Sequence, residues 1–153
     1  MEIDPKYFDY AASSPVWPDA LEAFAEIAQV HYANPSSSHL HGKSAGMKLL
    51  ELKKQLCDML QFYDGRLLCC ASGSEANNTI IEGHLNLFPD GKVLVAEDVH
   101  DSMWYVCNKH PDAIEILKID DKGCISSKEL EKSINKHITL VCLNHVCSET
   151  GTI

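Results

Sequence analysis

Residues Arg66 to Asn78 constrain the fold more than any other stretch of the chain. They read Arg-Leu-Leu-Cys-Cys-Ala-Ser-Gly-Ser-Glu-Ala-Asn-Asn. Leu67 to Ala71 is an apolar run of strand length. Ser72-Gly73-Ser74 ends it, because glycine lacks a Cβ and serine favours caps and turns. Ser72 or Ser74 suits the N-cap of a following helix, and Glu75 suits its positive end. A strand feeding a helix through such a turn aims free backbone N–H groups at one point, a geometry that binds phosphate. It is neither a dinucleotide fingerprint, since the later glycines of G-x-G-x-x-G are missing, nor a P-loop, since no Gly-Lys-Ser/Thr follows.

From Arg66 onward strands and helices alternate. Helix Glu75–Phe88 carries Ile81, Leu85 and Phe88 on one face. Strand Lys92–Ala96 leads through Glu97-Asp98-Val99-His100 to helix Ser102–Lys109. Strand Ala113–Ile119 ends at the turn Asp120-Asp121-Lys122-Gly123. Ser126 and Glu129 form a capping box for helix Lys128–Asn135, and the apolar strand Ile138–Leu143 follows. This alternation predicts an α/β fold in three layers, a mainly parallel sheet with helices on both faces. Upstream, Pro18 opens a helix to about Tyr32. Asn34-Pro35-Ser36-Ser37-Ser38 forms a polar loop. A second helix, Lys43 to Phe62, has an apolar stripe of Ala45, Leu49, Leu52, Leu56, Met59 and Leu60, which reads as core packing.

The 153 residues suffice for about one domain. A formal net charge of −9 and a single arginine argue against a nucleic-acid surface. No apolar run approaches the roughly 20 residues of a membrane span, and the N-terminus lacks the pattern of a signal peptide. Seven cysteines, an odd number, include Cys69, Cys70, Cys107, Cys142 and Cys147 in or beside apolar runs. They read as reduced thiols in a cytoplasmic protein. No C-x-x-C pair or zinc-type histidine spacing occurs, so no metal site is expected. The chain stops ten residues past a core strand, which reads as one part of something longer.

Ligands of open parallel sheets sit beyond the carboxyl ends of the strands. Three such ends are polar here. One carries Ser72, Gly73 and Ser74; a second, Asp98, His100 and Asp101; a third, Asn144, His145, Ser148 and Glu149. Together they fit a phosphorylated ligand with a ring or carbonyl to hold. A histidine in that place can stack on a ring, act as acid or base, or cap a helix.

Five segments resemble, in order and spacing, the class V aminotransferase-type enzymes, the pyridoxal-phosphate (PLP) family that includes the cysteine desulfurases. They are Tyr7 to Val16, Ala33 to His39, Ser72 to Asn78, His100, and His145 to Gly151. The resemblance implies an incomplete large domain of PLP fold type I. Residues 1–15 would be an arm contributing to the small domain or the entry, and 16–153 the first part of the PLP-binding domain. It implies PLP as cofactor, an amino-acid substrate with cysteine favoured, a homodimer, and a sulfur-acceptor protein as a further partner. Gly73 and Ser74 match the residues that hold the cofactor phosphate. His100 matches the catalytic histidine that stacks on the pyridine ring and is proposed to move protons. Cys147 falls where many members have an asparagine near the ring hydroxyl.

Two departures bear on that reading. Val99 replaces a frequent glutamate, and Cys147-Ser148 replaces Asn-Asn, which weakens a desulfurase assignment relative to other lyase or aminotransferase activities of the class. The family's Schiff-base lysine, beside a histidine, and its pyridine-pairing aspartate lie in later segments. Twelve lysines are present, and Lys136-His137 has the pair in reversed order. The 153 residues alone are therefore expected to be inactive, as part of a longer or split enzyme. The alternatives are a non-catalytic partner-binding piece and a different phosphate-ligand binder on the same sheet.

Overall fold

The computed structural model describes residues 4–153. The chain divides into two compact units, one ending at Cys69 and one beginning at Cys70.

The first unit holds two helices. Helix α1 spans Pro18–Val30, with proline in its first turn where the missing N–H costs nothing. Helix α2 spans Leu40–Met59, and the His39 ring caps it by accepting from the Gly42 amide at 3.2 Å. The loop between them is tightly built. Asn34 Oδ1 accepts from Ser36 N, and Asn34 O accepts from Ser37 N. Gly42 lets α2 press on that loop, since a Cβ there would lie 2.5 Å from Ser37 O and 2.9 Å from Asn34 O.

Only the start of the α2 stripe is covered. Ala45 is buried, whereas Leu49, Leu52 and Leu56 are 38–42% exposed and Met59 and Leu60 more so. The expectation of core packing therefore fails for most of the stripe within this unit. The loop reaches α2 only near its N-terminus, where Pro35 O lies 3.0 Å from a Cβ placed on Gly46.

The second unit opens with α3 (Gly73–Leu87), continues through β1 (Lys92–Ala96) and α4 (Asp101–Cys107), then β2 (Ile114–Leu117), α5 (Ser127–Ser133) and β3 (Ile138–Cys142). The three strands form a parallel sheet in the order β2-β1-β3. Val93, Leu94, Val95 and Ala96 are all buried, so the central strand is covered on both faces, as a continuously apolar strand requires. Ile81 and Leu85 of α3 and Val106 and Cys107 of α4 pack with Val93, Val95, Val99 and Cys142 in the main cluster.

The step from β1 to β2 runs one way along the sheet, and the step from β2 to β3 runs back past β1. Right-handed crossovers then place α4 and α5 on opposite faces. They also make the gap between β1 and β3 a topological switch point, where open α/β sheets hold ligands.

Two sequence expectations are corrected here. Leu67–Ala71 forms no strand, and Leu68, Cys69 and Cys70 are exposed. Among the described residues no neighbouring strand takes up its backbone groups, and without a ladder partner a strand-length apolar run does not become a strand. The capping box at α5 is half-formed. Ser126 Oγ accepts from Glu129 N at 3.1 Å, but the Glu129 carboxylate pairs with Lys132 instead of reaching back.

Candidate functional site

Ser72 is the N-cap of α3, its hydroxyl accepting from Glu75 N at 3.2 Å, and Ser72 O accepts from Ala76 N. The Glu75 carboxylate reaches back to the Ala71 amide. Ser72-x-x-Glu75 is therefore the helix-start signature that fixes this turn. The amides of Gly73 and Ser74 make no hydrogen bond among the described residues, and no atom lies within 4 Å of where a Gly73 Cβ would stand. Free N–H groups beside the open space at Gly73, at the positive end of a 15-residue helix, suit an anion.

His100 caps α4. Its Nδ1 accepts from the Ser102 amide at 3.1 Å and lies 2.9 Å from the Ser102 hydroxyl. That hydroxyl in turn accepts from Asn77 Nδ2 at 2.9 Å. Asn77 sits one turn beyond Gly73, so this link pins the phosphate-type turn beside the His100 loop. A second link crosses the switch point, from Asn144 Nδ2 after β3 to Asp98 O after β1 at 2.7 Å. It also approaches Asp98 Oδ2 at 3.4 Å. Asp98 Oδ1 is buried and has no partner among the described residues.

The loop after β3 closes on itself. Cys147 N donates to Thr152 O, and Gly151 N donates to Cys147 O at 2.8 Å. This turn needs the left-handed backbone that Gly151 adopts at φ 73°. Cys147 is buried. The Thr150 hydroxyl and the amides of Thr150 and Glu149 hold its thiol below the usual range, against the opposing effects of burial and the Asp98 charge.

The structure thus brings Gly73, Ser74, His100 and Cys147 to one edge of one unit. His145, Ser148 and Glu149 are on the same loop but exposed. Lys136-His137 precedes β3 and so lies at the opposite edge, about 17 Å away for a five-residue strand. Lys118, just past β2, is on the candidate edge and is paired with Glu97 at 2.6 Å. Sequence reasoning missed the roles of Asn77 and Ser102. The signal was present in His100-Asp101-Ser102, an acceptor two residues ahead of a first-turn amide.

The donors fit a phosphorylated ring ligand. Two unpaired amides and the Ser74 hydroxyl suit a phosphate, the exposed His100 ring offers a planar face, and the orphaned Asp98 oxygen awaits a donor. Among the described residues, no three histidine, cysteine or acidic side chains are grouped to hold a metal ion, and no helix is long and apolar enough to cross a membrane.

The first unit has its own cleft of about 640 Å³, lined by Lys53, Lys54 and Arg66, one carboxylate, Asp58, and apolar groups such as Leu50 and Phe62. Its charge would attract an anion, but it presents no helix N-terminus and no cluster of polar groups at strand ends.

A NifS/IcsS homologue of Lactobacillus delbrueckii subsp. bulgaricus is 29% identical over 154 residues, covering 96% of this chain and 40% of the relative. Cysteine desulfurase IscS of Dictyoglomus turgidum is 27% identical, with 96% and 39% covered. The chain thus spans about two fifths of the length of these relatives. Among solved structures, a NifS-like protein superposes with a TM-score of 0.78 at 18% identity over 86% of this chain and 37% of its own. Another, from Rickettsia africae, gives 0.74 at 22% over 93% and 40%. These establish the α/β fold of PLP fold type I. The aminotransferase class-V family model matches residues 6–153, and the chain belongs to the class V aminotransferase family.

Proposed function

We propose that this chain supplies the phosphate and ring contacts of a PLP site in a cysteine desulfurase-like enzyme. The observation that carries the reading is the pair of cross-links, Asn77 to Ser102 and Asn144 to Asp98. They draw the α3 amino terminus, His100 and the Cys147 loop to one switch point. In this reading the Gly73 and Ser74 amides and the Ser74 hydroxyl hold the phosphate. His100 lies against the ring, and Cys147 faces the ring hydroxyl. PLP, when bound, supplies the electron sink for bond cleavage at an amino acid. Cysteine is the substrate we favour, since the relatives that match are named for acting on it.

Several wider features belong to the same proposal. The Schiff-base lysine and the pyridine-pairing aspartate come from a segment outside these 153 residues, so the chain alone is inactive. Residues 1–15 serve as an arm, and 16–153 belong to the cofactor domain. The working enzyme is a homodimer that hands sulfur to an acceptor protein. A reducing, cytoplasmic setting completes the reading, supported by seven free cysteines, two of them adjacent and exposed.

A second reading, a non-catalytic piece that docks on another chain, is favoured by the bare apolar segment at Leu68. Calorimetric titration with PLP and with pyridoxal separates the two. The site predicts binding at least tenfold tighter for PLP, lost in Ser74→Ala. Equal affinities, or none, would defeat the PLP assignment and leave the docking reading.

A further inference from the structure

His100 has three roles open to it: ring platform, proton carrier, or helix cap. The hydrogen bonds around it choose among them. The Ser102 backbone N–H has one polarity only, and it points at Nδ1. Nδ1 must therefore carry a lone pair, whichever way the Asn77 amide is turned. Asn77 Nδ2 donates to the Ser102 hydroxyl, which leaves that hydroxyl's own proton for Nδ1 at 2.9 Å. Two donors thus converge on one ring nitrogen. In the neutral ring the single proton must then sit on Nε2.

We infer that Asn77 and Ser102 are positioning residues that hold His100 in its Nε2–H form, so that the ring meets its ligand as a hydrogen-bond donor and not as a base. Nε2 then has no lone pair with which to take a proton from substrate. A proton arriving at Nδ1 would face the Ser102 N–H directly and would have to break the α4 cap. The ring plane is fixed by the same two bonds, which suits a stacking platform. The placement of a ligand against this ring rests on the PLP reading; the tautomer does not.

The test uses the 153-residue chain, without cofactor, carrying ¹⁵N-labelled histidine. Long-range ¹H–¹⁵N spectra at a pH where the ring is neutral report which nitrogen bears the proton. The wild-type chain should show His100 almost wholly as Nε2–H. In Ser102→Ala the backbone donor stays but the hydroxyl is gone. The ratio of Nε2–H to Nδ1–H should fall about fivefold, the equivalent of one net hydrogen bond. Asn77→Ala should give a smaller fall, and Ser102→Thr should restore the ratio. Backbone spectra check that each variant is folded, and Ser102→Thr keeps the test valid if Ser102→Ala is not. A wild-type His100 protonated at Nδ1, or a ratio untouched by Ser102→Ala, would overturn the inference. PLP titration of the same samples is read separately, so a chain that fails to bind PLP yet keeps the tautomer defeats only the cofactor assignment.

Discussion

Replacing Asn144 by alanine should loosen the switch point measurably. The Asn144 amide makes the only side-chain hydrogen bonds between the loop after β3 and the loop after β1 among the described residues. Its loss leaves the Asp98 carbonyl without that donor in a part-buried place. An unsatisfied buried acceptor costs about 1–3 kcal/mol, and partial water access puts this case near 1.5. For a urea slope of about 2 kcal/mol/M, the unfolding midpoint should fall by about 0.7 M. Asn144→Asp is the harsher change. It removes the donor and sets a second carboxylate beside Asp98. At an effective dielectric of about 20 and 4 Å the bare repulsion is about 4 kcal/mol, cut by exposure to about 1–2. Asn144→Asp should therefore be less stable than Asn144→Ala at pH 7. The gap should close on acidification, as the introduced carboxyl takes up a proton. Urea titrations of all three proteins at pH 7 and pH 4 supply the comparison. A midpoint for Asn144→Ala within about 0.2 M of wild type, at unchanged slope, would refute the bridging role.

Other outcomes follow from single contacts. Gly42→Ala places a methyl 2.5 Å from Ser37 O; it should destabilise by about 2 kcal/mol and speed proteolysis of the 34–40 loop, despite alanine's better helix propensity. Ile81→Ala, from a fully buried site, should cost about 3 kcal/mol, read as a lower urea midpoint. Burial, aided by Cys107, pushes the Cys142 thiol up to about 11 from 9.0. The folded state thus resists ionisation that the unfolded chain accepts, so stability is full below pH 9 and is lost as pH rises toward 11. Cys142→Ala should reduce the alkaline loss by about 2 kcal/mol when urea midpoints at pH 8.5 and 10.5 are compared, leaving the smaller share of Cys107, whose thiol burial also pushes up.

Much of the second unit was legible from residue order. Val93 to Ala96 announced a buried central strand because unbroken apolar runs have few other uses, and Ile138 to Cys142 announced a parallel strand, although at the sheet edge only its Cys142 is buried. Ser72 and Glu75 announced the α3 start through capping chemistry, which is local. Leu67–Ala71 misled because a strand needs a neighbour as well as a pattern, and pairing is not written in the run itself. The α2 stripe misled for a related reason: periodicity tells which face is apolar, not what covers it. At the site, Gly73, Ser74 and His100 could be picked out by type and place. The His100-Asp101-Ser102 cap was local and legible, but the contact from Asn77 to Ser102 was not, since it spans 25 positions and depends on how α3 packs on α4.

The central claim is that one switch-point edge, and not the basic cleft of the first unit, receives the phosphate and ring of PLP. A ¹H–¹⁵N correlation spectrum of the chain titrated with PLP tests it most directly. The account predicts saturable shifts at the amides of Gly73 and Ser74, at Ser102 behind the His100 ring, and along Asn144 to Cys147. Shifts confined to Lys53, Lys54 and Arg66 would contradict it.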